Sequence, residues 1–359
     1  MEDANACMNH RIQMIEDMKG EADMVTIKDV ALRAGVNPST VSRTLKDSSS
    51  ISQTTKDKVR KAMKELGYVP NVAAQMLASG LTQSVGLVLP PLTSQERLSQ
   101  PFFMEFITAI NAAASKKSQT VSIATGESLE DLQHQVHLMH RQKRADGFII
   151  LYSEKEDPVK DYLLEHHLPF VVVGVAQDTS GAITYIDNDN RGMGRQAAEF
   201  LAEKGHQNIL FVTDDLEGQV YSERYEGYSE AMAELNLPVY PSVVFDRHRA
   251  ETLQDFMDRL TEKQATALVV IDDLSAVRII QWLSFYQLRV PDDLSIISFN
   301  NSIYAKIIHP YLSSFDINIA ELGRKSLEEL LGLLEKPSKE SKKILVPFHL
   351  KDRESVIRR

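Results

Sequence analysis

The chain has 359 residues, too many for one typical domain, and 43% of them are hydrophobic, enough for a sizeable packed core. Its formal net charge of −10 argues against a uniformly basic nucleic-acid binder, yet residues 25–80 carry a net +5 and residues 81–359 carry −11. Cys7 is the single cysteine, which excludes an internal disulfide, and with neither a signal-peptide-like apolar run nor a membrane-spanning stretch the expected compartment is the cytoplasm.

Residues 1–23 are polar and acidic, and disorder or a loose helix is expected there. Lys19-Gly-Glu21 can be encoded by a purine-rich stretch of the kind that binds a bacterial ribosome, which suggests that translation starts at Met24. Thr26 then caps a helix in which Ile27, Val30, Ala31 and Ala34 form one apolar face. Gly35-Val-Asn-Pro38 is a turn with a mechanism: glycine takes the left-handed conformation that stops one helix, and proline suits the first position of the next. On the second helix Val41 and Leu45 face inward, leaving Ser39, Thr40, Ser42, Arg43 and Lys46 on the other side. This is helix-turn-helix anatomy, although a solvated helical hairpin shows the same pattern. A third helix starts at Ser52 or Thr54, runs through Val59, Met63 and Leu66, and closes at Gly67. Tyr68-Val-Pro70 is extended, and Asn71 caps a short segment, 72–79, that is too short to be stable unless something holds it.

From Ser84 the pattern alternates. Strands are expected at 85–89, 120–125, 147–151 and 170–173, separated by helices at 103–114, 129–141 and one ending at 166. A second series begins near Ile183, with helices at 188–204, 221–235, 253–263 and 274–286 and strands at 209–212, 243–245, 267–271 and 295–299. Continuous apolar strands alternating with helices indicate parallel sheets covered on both faces. Two such series in tandem make two lobes with a cleft between them, and open α/β sheets bind ligands in crevices at strand C-termini. The expected fold class is an all-α helix-turn-helix headpiece (24–70), a hinge helix and linker (71–83), and an α/β two-lobe core (84–359).

The stretch Thr26–Lys46, the run Glu65-Leu-Gly-Tyr-Val-Pro-Asn71 and Ala74-Gln-Met-Leu-Ala-Ser79 resemble the headpiece and hinge of the LacI/GalR family of bacterial transcription regulators. Ala145-Asp-Gly-Phe-Ile-Ile150, Tyr185-Ile-Asp-Asn-Asp-Asn190, Glu223-Arg-Tyr-Glu-Gly-Tyr228 and Val290–Phe299 extend the resemblance through that family's periplasmic-binding-protein-like core. The resemblance implies a homodimer that binds a pseudo-palindromic double-stranded DNA operator and a small sugar effector, without catalysis, cofactor or membrane. Ser39 and Thr40 occupy positions that reach base edges; Thr26, Ser42, Arg43 and Asn71 match phosphate or groove-edge contacts. Leu77 matches the leucine wedged into the central minor-groove step. Ala74 belongs to the same hinge motif, and Gln75 stands where many members have arginine. In the core, Arg224 matches an arginine whose planar fork holds two ligand oxygens. Asp272, matching a ligand-contacting asparagine, is equally suited to capping a helix. Asn300 replaces an aspartate common in the family, which suits a neutral polyol, and Phe102 and Phe103 sit where cleft-lining residues are found.

Ser298-Phe-Asn-Asn-Ser302 and Ile307-Ile-His-Pro-Tyr-Leu312 further resemble the maltose-operon repressor branch of Gram-positive bacteria, implying maltose or a short maltodextrin as effector. The alternative within the family is a catabolite-control regulator whose DNA binding is strengthened by a phosphorylated carrier protein. Two rivals come from local motifs. Gly192-Met-Gly194-Arg-Gln-Ala197, with Asp214 beyond it, imitates a dinucleotide fingerprint, but the glycines fall inside a helix rather than in a phosphate-cradling turn. His134, His137 and His140 share a helical face with no carboxylate or cysteine to complete a zinc site, so a solvated or interfacial face is expected.

Overall fold

The computed structural model describes residues 25–45, 47–69, 80–91, 100–176, 183–338 and 340–359, which divide into two compact units between Leu81 and Thr82. The expectations for residues 1–23, Lys46 and the hinge positions Asn71, Ala74, Gln75 and Leu77 lie outside the described residues.

The first unit holds three helices, α1 (Ile27–Ala34), α2 (Pro38–Leu45) and α3 (Gln53–Leu66). The Asp29 carboxylate accepts both the backbone N–H of Thr26 at 2.8 Å and its hydroxyl at 2.6 Å, and these bonds hold the Asp29 pKa below its ordinary value. Gly35 (φ 67°) and Gly67 (φ 64°) end α1 and α3 in the left-handed conformation. Val30, Ala31, Val41, Val59 and Ala62 are buried, with Ile27, Leu45, Met63 and Leu66 packed against them. So small a core gains from polar ties. Lys56 is buried and reaches the Asp47 carbonyl at 3.0 Å and carboxylate at 2.9 Å, and Arg60 also binds Asp47. Arg33 and Lys61 pair with Glu65. Four cations of the basic head are thus engaged within the unit.

The second unit is built on two six-stranded sheets. In the first, β1 (Ser84–Val88), β2 (Thr120–Ala124), β3 (Gly147–Ile150), β4 (Phe170–Val173), β5 (Thr184–Asp187) and β11 (Lys342–Leu345) lie in the order β11-β5-β4-β3-β1-β2, all parallel. In the second, β6 (Ile209–Thr213), β7 (Val243–Val244), β8 (Ala267–Val270), β9 (Ser295–Phe299), β10 (Ser313–Asp316) and β12 (His349–Lys351) lie in the order β12-β10-β9-β8-β6-β7, with only β12 antiparallel. Helices α4 (Pro101–Lys116), α5 (Leu129–Arg141), α6 (Pro158–Glu165) and α12 (Ile319–Glu335) belong to the first lobe; α7 (Asn190–Glu203), α8 (Gln219–Glu234), α9 (Ala250–Glu262), α10 (Asp273–Phe285) and α11 (Ile303–Ile307) to the second. Strands β1, β3, β4, β5, β6, β8 and β9 are buried along their whole length, as parallel strands between helical layers require.

The tandem division expected from the sequence is corrected here. Strand β5, expected to open the second series, pairs with β4 and β11 in the first sheet. Helix α12 and strand β11 also return to the first lobe, so the chain crosses between lobes three times. Local periodicity specifies the type of an element; the partner that buries its second face is a long-range choice.

Candidate functional site

Helix α2 presents Ser39 and Arg43 exposed and Thr40 and Ser42 half-buried, while Val41 is fully buried against the other two helices. Thr26 is exposed at the start of α1, its hydroxyl tied to Asp29. Of the candidate DNA-contacting residues, these five are the ones the structure describes. Among the described residues of this unit, Lys28, Arg43, Lys58 and Lys64 make no ion pair.

Between the two sheets lies a cavity of about 420 Å³, and Phe102, Phe103, Arg224, Asp272 and Asn300 all line it. Its wall is made by residues that follow strands: Tyr152 and Glu154 beyond β3, Asp187 and Asn188 at the end of β5, Asp214 beyond β6, Asp272 beyond β8 and Asn300 beyond β9. This is the crevice at strand C-termini that open α/β sheets provide. Phe102 and Phe103, at the start of α4, are half-buried and meet edge to face at 5.4 Å, so each serves both cleft and core. Asp272 also serves twice. It caps α10 by accepting the Ser275 N–H at 2.7 Å and still faces the cavity.

Arg224 is buried, donates Nε–H to Asn190 Oδ1 at 3.0 Å and Nη1–H to the Ile271 carbonyl at 2.8 Å, and stacks 4.2 Å from the Phe299 ring centre. Two of its donors therefore fix its position, and no bond of Nη2 is found among the described residues. Burial lowers its pKa to about 10, opposed by Asp187, Asp272 and Asp273, so it stays charged at neutral pH. It can reach the cavity because α7 and α8 pack at backbone contact. A Cβ at Gly194 would collide with the Arg224 carbonyl, and one at Gly227 with the Arg191 carbonyl. Gly192 and Gly194 lie within α7, so they are turns of a helix rather than a phosphate-cradling loop.

Several residues at the site were not named from the sequence as effector-cleft candidates, Asp214 having been noted only for the dinucleotide-like motif. Asp214 lines the cavity, where the enclosing protein and then the neighbouring Asp272 raise its pKa to about 6. Asp273 is buried beneath and accepts from Ser298 Oγ (2.6 Å), Ser314 Oγ (2.7 Å) and Ser302 N (2.6 Å). Asn188 is the most informative. Its Nδ2 donates to Ile317 O at 3.0 Å and to Val346 O at 2.9 Å, so one buried side chain ties together all three lobe crossings. Asp187 Oδ1 accepts the Asn188 backbone N–H at 2.8 Å, Asp187 Oδ2 accepts from Asn190 Nδ2 at 3.0 Å, and Asn190 in turn holds Arg224. A continuous buried chain thus runs from Arg224 to the crossings. Burial raises the Asp187 pKa to about 6. The available signal was positional for two of them: Asp214 and Asp273 lie two residues beyond expected strands, whereas Asn188 and Asn190 fell in an expected helix.

His140 Nδ1 bonds the Tyr162 hydroxyl at 2.8 Å, with His134 and His137 exposed beside it; among the described residues no group of three His, Cys, Asp or Glu is placed to hold a metal. No helix among them is long and apolar enough to cross a membrane.

Residues 26–71 match the model for bacterial regulatory proteins of the lacI family, and residues 198–356 match a periplasmic binding protein-like domain. The chain is 36% identical over 317 residues to the HTH-type transcriptional regulator MalR of Streptococcus pneumoniae, covering 86% of this chain and 93% of that one. The chain belongs to the LacI family. This family member is also similar in structure to the transcriptional regulator CelR in complex with cellobiose (TM-score 0.69, 27% identity, 92% of this chain and 99% of that one). A lac repressor dimer bound to operator and the anti-inducer ONPF matches with TM-score 0.71, 25% identity and the same breadth, 93% and 99%. The relatives are transcriptional regulators, and the LacI-family protein described here is one of them, a transcriptional repressor by family.

Proposed function

We propose that two copies of this LacI-family repressor read a pseudo-palindromic operator and release it when a neutral sugar, maltose or a short maltodextrin, enters the cleft. The observation that carries the reading is that Phe102, Phe103, Arg224, Asp272 and Asn300, brought from four places in the chain, line one cavity. Its size, about 420 Å³, falls in the lower part of the range of about 300–1,000 Å³ typical of small-molecule sites, which suits a short oligosaccharide. Its charge supports a neutral ligand. Glu154, Asp187, Asp214, Asp215 and Asp272 outnumber Arg224 and Arg278, an environment unfavourable to a phosphorylated sugar. The neighbour bound to cellobiose and the relative named MalR point to the same ligand class.

The mechanism follows from the connections. Ser39 and Thr40 reach base edges, with Thr26, Ser42, Arg43 and Asn71 on phosphates, while Leu77 of each hinge wedges the central step, aided by Ala74 and Gln75. A sugar that touches α4 of one lobe and Arg224 and Asp272 of the other favours one lobe angle. Its pull on Arg224 passes through Asn190 and Asp187 to Asn188, which grips the three crossings. Reciprocity then requires operator DNA to weaken sugar binding by the same factor.

The test is operator binding by fluorescence anisotropy at fixed salt, titrated with maltose, maltotriose, glucose, galactose, ribose and glucose 6-phosphate. Release by maltose or maltotriose alone supports the proposal. Binding unaffected by any sugar but tightened by a phosphorylated carrier protein would replace the effector part of it with catabolite control.

A further inference from the structure

The core is acidic, with a net charge of −11 over residues 81–359, yet one end of its first lobe is basic. Lys116 and Lys117 close α4, and Arg141, Lys143 and Arg144 close α5; all five are exposed, and among the described residues none makes an ion pair. Backbone bonds bring the two turns together around the residues at which the chain enters the core. Thr120 N–H donates to Gln83 O at 2.9 Å, and Asp146 N–H to Ser84 O at 2.8 Å. The Asp146 carboxylate accepts from Thr82 N (2.8 Å) and Gln83 N (2.8 Å), so the only acid among these turns is already occupied by two backbone donors. Stabilisation of the helix dipoles accounts for Lys116 and Arg141, which lie in last turns. Lys117, the C-cap residue of α4, can share that role, but Lys143 and Arg144 lie past the C-cap of α5, where the dipole does not account for them.

We propose that this basic end of the first lobe is a second DNA-contacting surface, which engages backbone phosphates flanking the operator without reading bases. The inference rests on the operator-binding reading above. The chain leading from the headpiece joins the core at Thr82, within this cluster, so chain connectivity tethers the patch to the unit read as binding the operator. Uncompensated Lys and Arg in an otherwise acidic surface match the chemistry of a polyanion, and an acidic remainder keeps stray contacts off the other faces.

The experiment is equilibrium binding of the full chain to a selected operator duplex and to a mixed-sequence duplex across a salt series, with K116Q/K117Q/K143Q/R144Q compared with a control, K351Q/R358Q, placed on exposed cations of the second lobe. Each lost phosphate contact flattens the slope of log K against log salt by about 0.9, so loss of one contact per protomer of a dimer flattens it by about 2 and weakens both duplexes roughly ten- to hundredfold. Equal weakening of both duplexes, an unchanged thermal midpoint and an unaffected control support the proposal. An unchanged slope in a variant that still binds operator overturns it while leaving the repressor reading intact. A wild-type protein that selects no duplex would instead overturn the repressor reading. Weakening confined to the selected operator would show base readout and would also overturn the proposal.

Discussion

Replacing Asn188 with alanine should cost the core stability and break the link between cleft and operator. The side chain donates both amide hydrogens, to Ile317 O at 3.0 Å and Val346 O at 2.9 Å, and it is buried. A net hydrogen bond is worth about 1 kcal/mol, and a buried acceptor left unpaired costs about 1–3 kcal/mol, so the two together amount to about 2–4 kcal/mol. Against a typical total of about 5–15 kcal/mol the variant should still fold. The only tryptophan, Trp282, sits on α10, so urea unfolding followed by its fluorescence reports on the core. In the operator assay, a wild-type response to saturating maltose in the usual range of about 5–150-fold should fall below about threefold, although calorimetry still detects maltose binding. Unfolding within about 0.5 kcal/mol of wild type would refute the energetic argument. A destabilised variant that retained full release would show that coupling bypasses the clasp.

Arg224→Lys should remove sugar response while sparing operator affinity, because one ammonium cannot reproduce the bonds to Asn190 and Ile271 and also fork onto a ligand; calorimetry with maltose checks this. Gly194→Ala should destabilise by more than about 3 kcal/mol, since its Cβ meets the Arg224 backbone carbonyl rather than a movable side chain, and a thermal midpoint near wild type would contradict the packing account. Asp187 carries a pKa of about 6 when folded against 3.8 as its reference, so the native state takes up a proton first as pH falls, and stability from this group rises from pH 7 to 5 by about 1 kcal/mol. Asp187→Asn should abolish that share, which urea titrations of both proteins at the two pH values would reveal; parallel pH dependences would count against it.

The headpiece was legible because its rules are local. Gly35, Pro38, Ser52 and Gly67 each act within a few residues, and the structure uses Gly35 and Gly67 at left-handed φ and Ser52 as a cap on Thr55 N–H. Lys56 was not legible. Among six lysines in a basic stretch nothing in the sequence marks the one buried under the Asp47 loop, because its partner is fixed by how α3 packs. The core shows the same divide. Strand types could be read from apolar runs, whereas β5 was assigned to the wrong series because an apolar run does not say which sheet it joins, and β5 lies between β4 and β11 in the first. Arg224 and Asp272 were reachable through motif resemblance; Asn188 was read as the start of a helix and Asp214 as part of a dinucleotide-like motif, because their roles depend on carbonyls and carboxylates contributed by distant segments.

Under the proposed mechanism, interleaving is what lets the core transmit a small binding event. With three crossings held by one side chain, neither lobe can shift without disturbing the other, so lobe angle is a property of the whole core rather than of a single linker. A ligand shifts such an equilibrium only by its difference in affinity for the two angles, and a sugar bound to one lobe alone would shift nothing. The cleft meets this condition, with Phe102 and Phe103 on the first lobe and Arg224, Asp272 and Asn300 on the second. A hundredfold change in operator affinity needs about 2.7 kcal/mol, which two hydrogen bonds to a charged group, made at one lobe angle and not at the other, can supply. In the proposed mechanism Arg224, which lines the cavity and is held by Asn190 and Ile271, makes them.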